Sequence, residues 1–173
     1  MKPTLASAAE IAVRKSVTVA APIALAFEVF TARIESWWPL ASHHIGDADC
    51  AAVVIEPRVG GRWYERGTNG VECVWGQVLV WEPARRVVLV WQLDAQFKFD
   101  PTLHTEVDVR FTAIDDRTTQ VDLEHRGLEA YGAAELAMRE AFGSPNGWNG
   151  MLDHFAQVAG SAFVAPSADH AQP

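Results

Sequence analysis

Six histidines and two cysteines supply the nitrogen and sulfur ligands that this chain could offer to a zinc ion. A structural or catalytic zinc site needs several converging ligands, which commonly occur at C-x-x-C or H-x-x-x-H spacing. No such cluster occurs, since His43 and His44 are adjacent and His104, His125 and His154 are far apart. We therefore predict no metal site and no cofactor, and two free buried thiols at Cys50 and Cys73.

Acid–base catalysis would need a carboxylate on a buried face, within reach of a proton donor or acceptor such as histidine. Glu72 lies in a predicted strand and Glu56 ends one, whereas the alternation of Asp108, Asp122 and Glu124 predicts that they face solvent. No nucleophile elbow, phosphate-binding loop or dinucleotide motif occurs. The residues thus identify no catalytic group, and the sequence favours a protein without enzymatic activity over an enzyme.

Tryptophan is the most informative residue type, with seven copies in 173 residues. Each indole carries a large apolar surface and one N–H donor, so most of them must line a core or a pocket. We predict that they converge into a pocket for a small hydrophobic or aromatic molecule, oriented by indole N–H groups; simple filling of the core explains them equally well. The predicted pocket residues are Trp37, Trp38, Trp63, Trp75, Trp91, His125, Trp148, Met151 and Phe155.

His125 has two interpretations that the sequence leaves open. It can be a polar group of the pocket, with one ring nitrogen oriented toward a ligand, or a structural histidine whose nitrogens are bonded within the protein. The same residue would be the proton-transfer group of an enzyme if a carboxylate lay beside it.

Charge and hydropathy restrict the class of partner. The net charge is −8, and an acidic surface repels phosphate backbones and anionic lipid headgroups, so neither nucleic acid nor a membrane is an expected partner. No apolar run is long enough to span a bilayer, and the first residues lack the apolar region of a signal peptide. We expect a cytoplasmic protein, either a monomer or a homodimer.

The apolar pattern predicts one α+β domain over residues 11–160, with flexible tails at 1–10 and 161–173. Alternating residues predict strands at 11–19, 51–56, 62–66, 71–81, 86–93, 105–114 and 118–125. Helical spacing predicts helices at 23–34, with a break near Thr31, at 133–142 and at 145–159. Short turns join most consecutive strands, so neighbouring strands should be antiparallel.

The last hairpin permits a register prediction. A three-residue turn at 115–117 pairs Val109 with Leu123, whereas a two-residue turn would pair Val109 with Asp122 and mix the two faces of the sheet. We therefore predict the three-residue turn, which places His125 on the buried face of the sheet.

Six short motifs follow one another along about residues 11–159. They are Ala21-Pro22 with Phe27 and Phe30, Trp37-Trp38-Pro39, Arg58 to Trp63, Gly76-Gln77-Val78 with Glu82 to Val87 and Trp91, Thr119 to Gly127, and Gly147-Trp148 with Leu152. In this order they resemble the START-like, or Bet v 1-like (SRPBCC), superfamily. The branch most similar is related to the C-terminal domain of the Hsp90 ATPase activator. The resemblance implies a helix-grip fold, in which a curved antiparallel sheet of about six to seven strands wraps a long C-terminal helix and leaves a cavity.

This superfold hosts many functions, so the resemblance predicts the fold better than the activity. The first hypothesis is a binding protein for a small hydrophobic molecule in the sheet–helix cavity. The second is a chaperone partner that acts like an Hsp90-type ATPase activator. The third is a cyclase- or dehydratase-like enzyme that uses the same cavity.

Overall fold

Seven antiparallel strands form one sheet in the order β1-β7-β6-β5-β4-β3-β2. The computed structural model describes residues 11–164, so the tail predicted at 1–10 and residues 165–173 of the tail predicted at 161–173 lie outside the described residues. The strands are β1 Ala12–Val19, β2 Cys50–Ile55, β3 Arg62–Gly67, β4 Glu72–Glu82, β5 Arg86–Trp91, β6 Thr105–Asp115 and β7 Thr118–Arg126. The predicted α+β helix-grip fold is confirmed.

Three α-helices accompany the sheet: α1 Ile23–Phe30, α2 Glu135–Phe142 and α3 Trp148–Val164. Helix α1 ends at the break predicted near Thr31, whose side chain bonds back to the carbonyl of Phe27, and a separate single turn follows at Ile34–Ser36. Helix α3 continues past the predicted domain limit at residue 160, since Ala162 and Phe163 still pack against the core.

The sheet grips α3 through one apolar stripe. Five residues at the predicted helical spacing are buried in the core: Trp148, Met151, Leu152, Phe155 and Ala159. Helix α3 packs against β1 and α1, so the sheet and the first helix enclose it from two sides. This packing places the N-terminal end of α3 at one end of the sheet, beside the end of β7.

The register of the β6–β7 hairpin agrees with the prediction, but its turn differs. Val109 pairs with Leu123, while Asp115 already pairs with Thr118, so the turn contains two residues and Ile114 forms a bulge. The Asp115 side chain accepts the backbone N–H of Arg117 at 2.8 Å and closes this tight turn. The extra residue that we predicted in the turn therefore lies in β6, as the bulge at Ile114, and the facing pairs of β6 and β7 are the predicted ones.

The predicted exposure of Asp108 is wrong. It was expected to face solvent, but only 3% of it is exposed, because the guanidinium groups of Arg86, Arg110 and Arg126 cover it. Arg86 binds it in a bidentate manner at 3.1 and 2.9 Å, and Arg126 donates at 2.7 Å. Burial by itself raises the pKa of Asp108, but its three arginine partners outweigh burial and hold the pKa at about 2.

Cys50 and Cys73 are free and half-buried. Burial and the nearby carboxylate of Glu65 raise the pKa of both thiols, so they remain protonated at neutral pH. Among residues 11–164, no group of histidine, cysteine and carboxylate side chains is arranged to hold a metal ion. Within the same residues, no helix is both long and apolar enough to cross a membrane.

Candidate functional site

A cavity of about 480 Å³ lies between the sheet, the loop that follows α1, and the α2–α3 junction. This volume falls within the range of about 300–1,000 Å³ that is typical of small-molecule sites. The walls are apolar and mostly aromatic: Trp38, Ile45, Trp75, Trp91, Leu93, Phe97, Phe142, Trp148 and Met151. The polar lining side chains come from two loops and are Ser42, His43, His44, Ser144 and Asn146. No acidic side chain, lysine or arginine lines the cavity among the described residues.

Six of the seven tryptophans form one continuous aromatic cluster, and Trp38 lies at its centre. Its ring centroid is 5.1 Å from that of Trp75 and 5.9 Å from that of Trp148. Trp63 lies 6.1 Å from Trp38 on the buried side. The seventh tryptophan, Trp81, packs instead against Phe27 of α1.

The structure divides the nine predicted pocket residues into two groups. Five of them line the cavity: Trp38, Trp75, Trp91, Trp148 and Met151. The other four, Trp37, Trp63, His125 and Phe155, lie in the core outside the cavity lining and are almost fully buried. Ligand contact by any of the nine remains a prediction.

A β-bulge aims Trp75 at the cavity. In the β3–β4 ladder Trp63 pairs with Gly76 and Tyr64 with Val74, so Trp75 is the extra residue of β4. A bulge of this kind bends the strand and redirects one side chain. Gly76 permits it, because a Cβ atom there would lie 1.6 Å from the carbonyl oxygen of Val90.

His125 is completely buried behind the cavity wall, and both its ring nitrogens are bonded. Nδ1 accepts a hydrogen bond from Trp148 Nε1 at 3.1 Å, and Nε2 lies 2.9 Å from Thr105 Oγ1. Because Thr105 donates its own proton to the carbonyl of Trp91, Nε2 of His125 must be the donor to Thr105. Burial lowers the pKa of His125 to about 3, so the ring is neutral. Its two partners are Thr105 and Trp148, so the pairing of His125 with a carboxylate that the enzyme hypothesis requires is not formed.

The indole N–H groups of three wall residues are bonded within the protein. Trp38 donates to the carbonyl of His43 at 2.9 Å, Trp75 donates to Glu65 at 2.8 Å, and Trp148 donates to His125. The sequence interpretation assigned these donors to a ligand. In the folded protein they fix the walls instead, and the rings contribute aromatic surface.

Glu65 is a buried carboxylate beside the cavity that the sequence analysis did not select. It is 0% exposed and accepts three N–H groups: the indole of Trp75, the backbone of Ile45 at 2.6 Å and the backbone of Gly46 at 3.1 Å. It therefore holds the wall residue Trp75 together with the loop of residues 42–46, which lies at the opening, or mouth, of the cavity. A signal was present, because period-two alternation in β3 places Glu65 on the same face as Trp63.

The carboxylates that the sequence analysis did select have another role. Glu72 bonds Arg62 and Arg66, and Glu56 bonds Arg58 and Arg62, all on the exposed face of the sheet. The backbone N–H of Arg62, followed by the arginine side chains, lowers the pKa of Glu56, and the side chains of Arg62 and Arg66 lower the pKa of Glu72. They form surface ion pairs and do not line the cavity.

Two loops meet at the mouth through His43. Its Nε2 donates to the carbonyl of Asn146 at 2.6 Å, and its Nδ1 lies 2.7 Å from Ser42 Oγ. The neighbouring His44 also lines the cavity, and its Nδ1 lies 3.0 Å from the carbonyl of Gly46. The rim is therefore tied to the α2–α3 junction on one side and to Glu65 on the other.

Phe97 is an unusual aromatic residue at the cavity. It is 45% exposed, lines the cavity, and has a φ of 58°, a left-handed conformation that side chains other than glycine seldom adopt. Asp94 holds the turn by accepting the backbone N–H groups of Gln96 and Lys98, each at 2.9 Å. No sequence pattern distinguished Phe97 from the neighbouring Phe99.

A curved antiparallel sheet that grips a C-terminal helix around a cavity defines the helix-grip class of α+β proteins. The chain belongs to the Activator of Hsp90 ATPase homolog 1-like protein family, whose sequence model matches residues 20–160. A comparison with curated proteins found no match.

Solved structures of the same class are similar to this chain. An anthrahydroquino-gamma-pyrone synthase, Txn09, complexed with SUM, is 37% identical with a TM-score of 0.61, over 85% of this chain and 96% of that one. CalC from Micromonospora echinospora, a self-sacrificing resistance protein, is 28% identical with a TM-score of 0.61, over 94% and 97% of the two chains. Protein NE0264 from Nitrosomonas europaea, at 14% identity and a TM-score of 0.63 over 89% and 97%, shares the fold.

Proposed function

We propose that this protein binds a small, flat aromatic molecule in the cavity between the sheet and α3. The observation that carries the proposal is a cavity of about 480 Å³ whose walls include Trp38, Trp75, Trp91 and Trp148 and whose lining, among the described residues, contains no Asp, Glu, Lys or Arg side chain. Offset or edge-on aromatic contacts contribute about 0.5–1.5 kcal/mol each beyond the burial of area. Several such contacts around one ligand give useful affinity without a charged partner.

The similarity to Txn09 supports the choice of ligand class. That protein is 37% identical over most of both chains, and its name describes a synthase of a fused aromatic product. Fused two- and three-ring arenes are therefore the first compounds to test with this protein.

The test is calorimetric titration of the protein with 2-methoxynaphthalene and anthraquinone, followed in parallel by tryptophan fluorescence. Ala141 lines the cavity from α2, so Ala141→Phe should occupy the space and weaken binding at least about tenfold. Ala137 is exposed on the same helix and does not line the cavity, so Ala137→Phe is the matched control and should bind like the wild type. Absence of saturable binding by the wild type, or equal binding by Ala141→Phe, would contradict the proposal.

Catalysis on the bound molecule is a second candidate, favoured by the fact that the 37% identical relative is named a synthase. His125 is an unsuitable proton-transfer group, because its two nitrogens are bonded to Trp148 and Thr105. Chromatography of a bound hydroxyarene or polyketide-type substrate after incubation would detect a product, and an unchanged compound would count against turnover.

A chaperone partner is the remaining alternative, and the name of the matching family is what favours it. The direct measurement is the ATPase rate of an Hsp90-type chaperone with and without this protein. A rate that does not change at saturating protein would exclude activation of that chaperone.

A further inference from the structure

We infer that His44 selects, within the proposed aromatic ligand class, molecules that carry an acidic O–H group such as a phenol or an enol. Its Nε2 atom would accept the hydrogen bond from that hydroxyl at the cavity mouth. This inference rests on the proposed function and adds to it the residue that determines specificity.

The bonding of His44 fixes which nitrogen is available. Its Nδ1 lies 3.0 Å from the carbonyl oxygen of Gly46, and a carbonyl oxygen only accepts, so Nδ1 carries a proton and Nε2 is the ring nitrogen left to accept. Nε2 then carries the lone pair. Within residues 11–164 no hydrogen-bond partner contacts Nε2, although the half-buried ring lines the cavity.

The loop that carries His44 is held in place by the buried side chain of Glu65. The backbone N–H groups of Ile45 and Gly46 donate to the two carboxylate oxygens of Glu65, at 2.6 and 3.1 Å. The third donor to Glu65 is the indole of Trp75, at 2.8 Å, which belongs to the cavity wall. Glu65 is therefore a positioning residue, since it fixes the loop whose Gly46 carbonyl in turn fixes the tautomer of His44.

The other polar groups of the mouth are less suited to accept a hydroxyl. His43 has both ring nitrogens occupied, by Ser42 and by the carbonyl of Asn146. Ser144 donates to the carbonyl of Ala141 at 2.7 Å. The Ser42, Ser144 and Asn146 side chains also line the cavity, but their oxygens are weaker acceptors than an imidazole nitrogen with a lone pair, so an acidic arene hydroxyl finds its best acceptor in His44. Among the wall indoles, those of Trp38, Trp75 and Trp148 are bonded within the protein, whereas the N–H of Trp91 has no partner among the described residues and remains able to donate to a ligand carbonyl.

The test compares 2-naphthol with 2-methoxynaphthalene, which share a ring system and differ in the O–H proton. We expect the wild type to bind 2-naphthol about tenfold more tightly, the usual effect of one added hydrogen bond. His44→Phe should remove this preference, so that the ratio of the two affinities falls to about one, whatever the change in the affinity for 2-methoxynaphthalene itself. His44→Gln keeps an acceptor and should restore part of the preference, and His104→Phe, outside the cavity, should have no effect.

Two further measurements separate positioning from simple stability. Long-range ¹H–¹⁵N spectra of the free protein should show the Nδ1–H tautomer of His44. Glu65→Gln should reduce the preference for 2-naphthol more than it reduces the affinity for 2-methoxynaphthalene.

The outcomes are distinguishable. Equal affinity of the wild type for the two arenes, or a preference that survives in His44→Phe, would overturn the role of His44 and leave the proposed function intact. Failure of both arenes to bind would overturn the proposed function and this inference with it.

Discussion

The indole Nε1 of Trp148 donates a hydrogen bond of 3.1 Å to Nδ1 of His125, and this bond joins the first residue of α3 to the end of β7. The bond continues through His125 Nε2 to Thr105, and from Thr105 to the carbonyl of Trp91. Trp148 and Trp91 line the cavity, whereas His125 lies behind them. His125 thus holds two wall residues in place from behind the cavity lining.

Replacing His125 by phenylalanine should lower stability and leave ligand affinity nearly unchanged. The variant keeps a ring but removes both nitrogens, so Trp148 Nε1 loses its buried acceptor, at a cost of about 1–3 kcal/mol. Chemical denaturation and arene titration of the same variant measure the two quantities. If stability holds while affinity falls, His125 contacts the ligand and the assignment above is wrong.

As the pH is lowered, the free energy of unfolding of the wild type should decrease more steeply than that of His125→Phe. Burial lowers the pKa of the folded His125 from 6.5 to about 3, so between these values only the unfolded chain binds the proton. The stabilisation is complete above about pH 6.5 and is lost toward pH 3 at up to roughly 1.4 kcal/mol per pH unit. Asp108, with a folded pKa of about 2, loses its contribution as the pH falls from its ordinary pKa of 3.8, which overlaps the acid end of this range; wild type and variant share this loss, so it cancels in their difference.

Urea unfolding of both proteins between about pH 4 and pH 7 checks this prediction. The free-energy difference between wild type and variant should shrink as the pH falls. Parallel curves would mean that the folded His125 already binds its proton in that range.

Trp148→Ala should destabilise the protein by about 3–5 kcal/mol, because the indole is 3% exposed and its removal leaves a void and an unpaired His125 nitrogen. Leu136→Ala, on α2 and 55% exposed, should change stability by less than about 0.5 kcal/mol. Thermal and urea unfolding measure both. A loss below about 1 kcal/mol for Trp148→Ala would contradict the packing of α3 against the sheet.

Phe97→Ala should weaken arene binding by about 0.5–1.5 kcal/mol, the value of one aromatic contact, with little change in stability. Phe97 lines the cavity, whereas Phe99, which is similarly exposed at 41%, does not. Phe99→Ala is therefore the control, and calorimetric titration compares the two. Equal affinities for both variants would show that Phe97 makes no ligand contact.

Gly61→Val should destabilise the turn before β3 by about 1–3 kcal/mol, the usual cost of overpacking. The sequence predicts a positive φ in the Gly60-Gly61 pair, and Gly60 has one, at 81°. Gly61 is constrained differently, since a Cβ atom there would lie 2.7 Å from the carbonyl oxygen of Glu56. Gly60→Asn is the informative comparison, because asparagine tolerates a positive φ and should cost less. Equal losses of unfolding free energy in the two variants would remove the steric explanation.

The sequence predicted the strands and the grip on α3 because both depend on local periodicity. Alternating residues located each strand to within a few positions, and the apolar stripe from Trp148 to Ala159 identified the buried face of α3. The facing pairs of β6 and β7 followed from the need to keep one side of the sheet apolar. The family motifs extended these local predictions to the whole fold.

Other features depended on the approach of distant strands and loops. The bulge that redirects Trp75 changes the spacing by one residue, which a period-two pattern does not encode. Burial of Glu65 is possible only because three N–H donors from separate segments converge on it, and burial of Asp108 depends on three arginines.

The residues alone determined that many indoles would gather between sheet and helix, since apolar surface must leave water wherever the chain can bury it. Only the tertiary structure decided which of them enclose a space and which fill the core. Trp38 and Trp75 border the cavity, while Trp63, which contacts both rings, is 0% exposed and outside it. The physical reason is that a cavity is set by the distances between backbone elements, which depend on bulges, loop anchors and helix placement together.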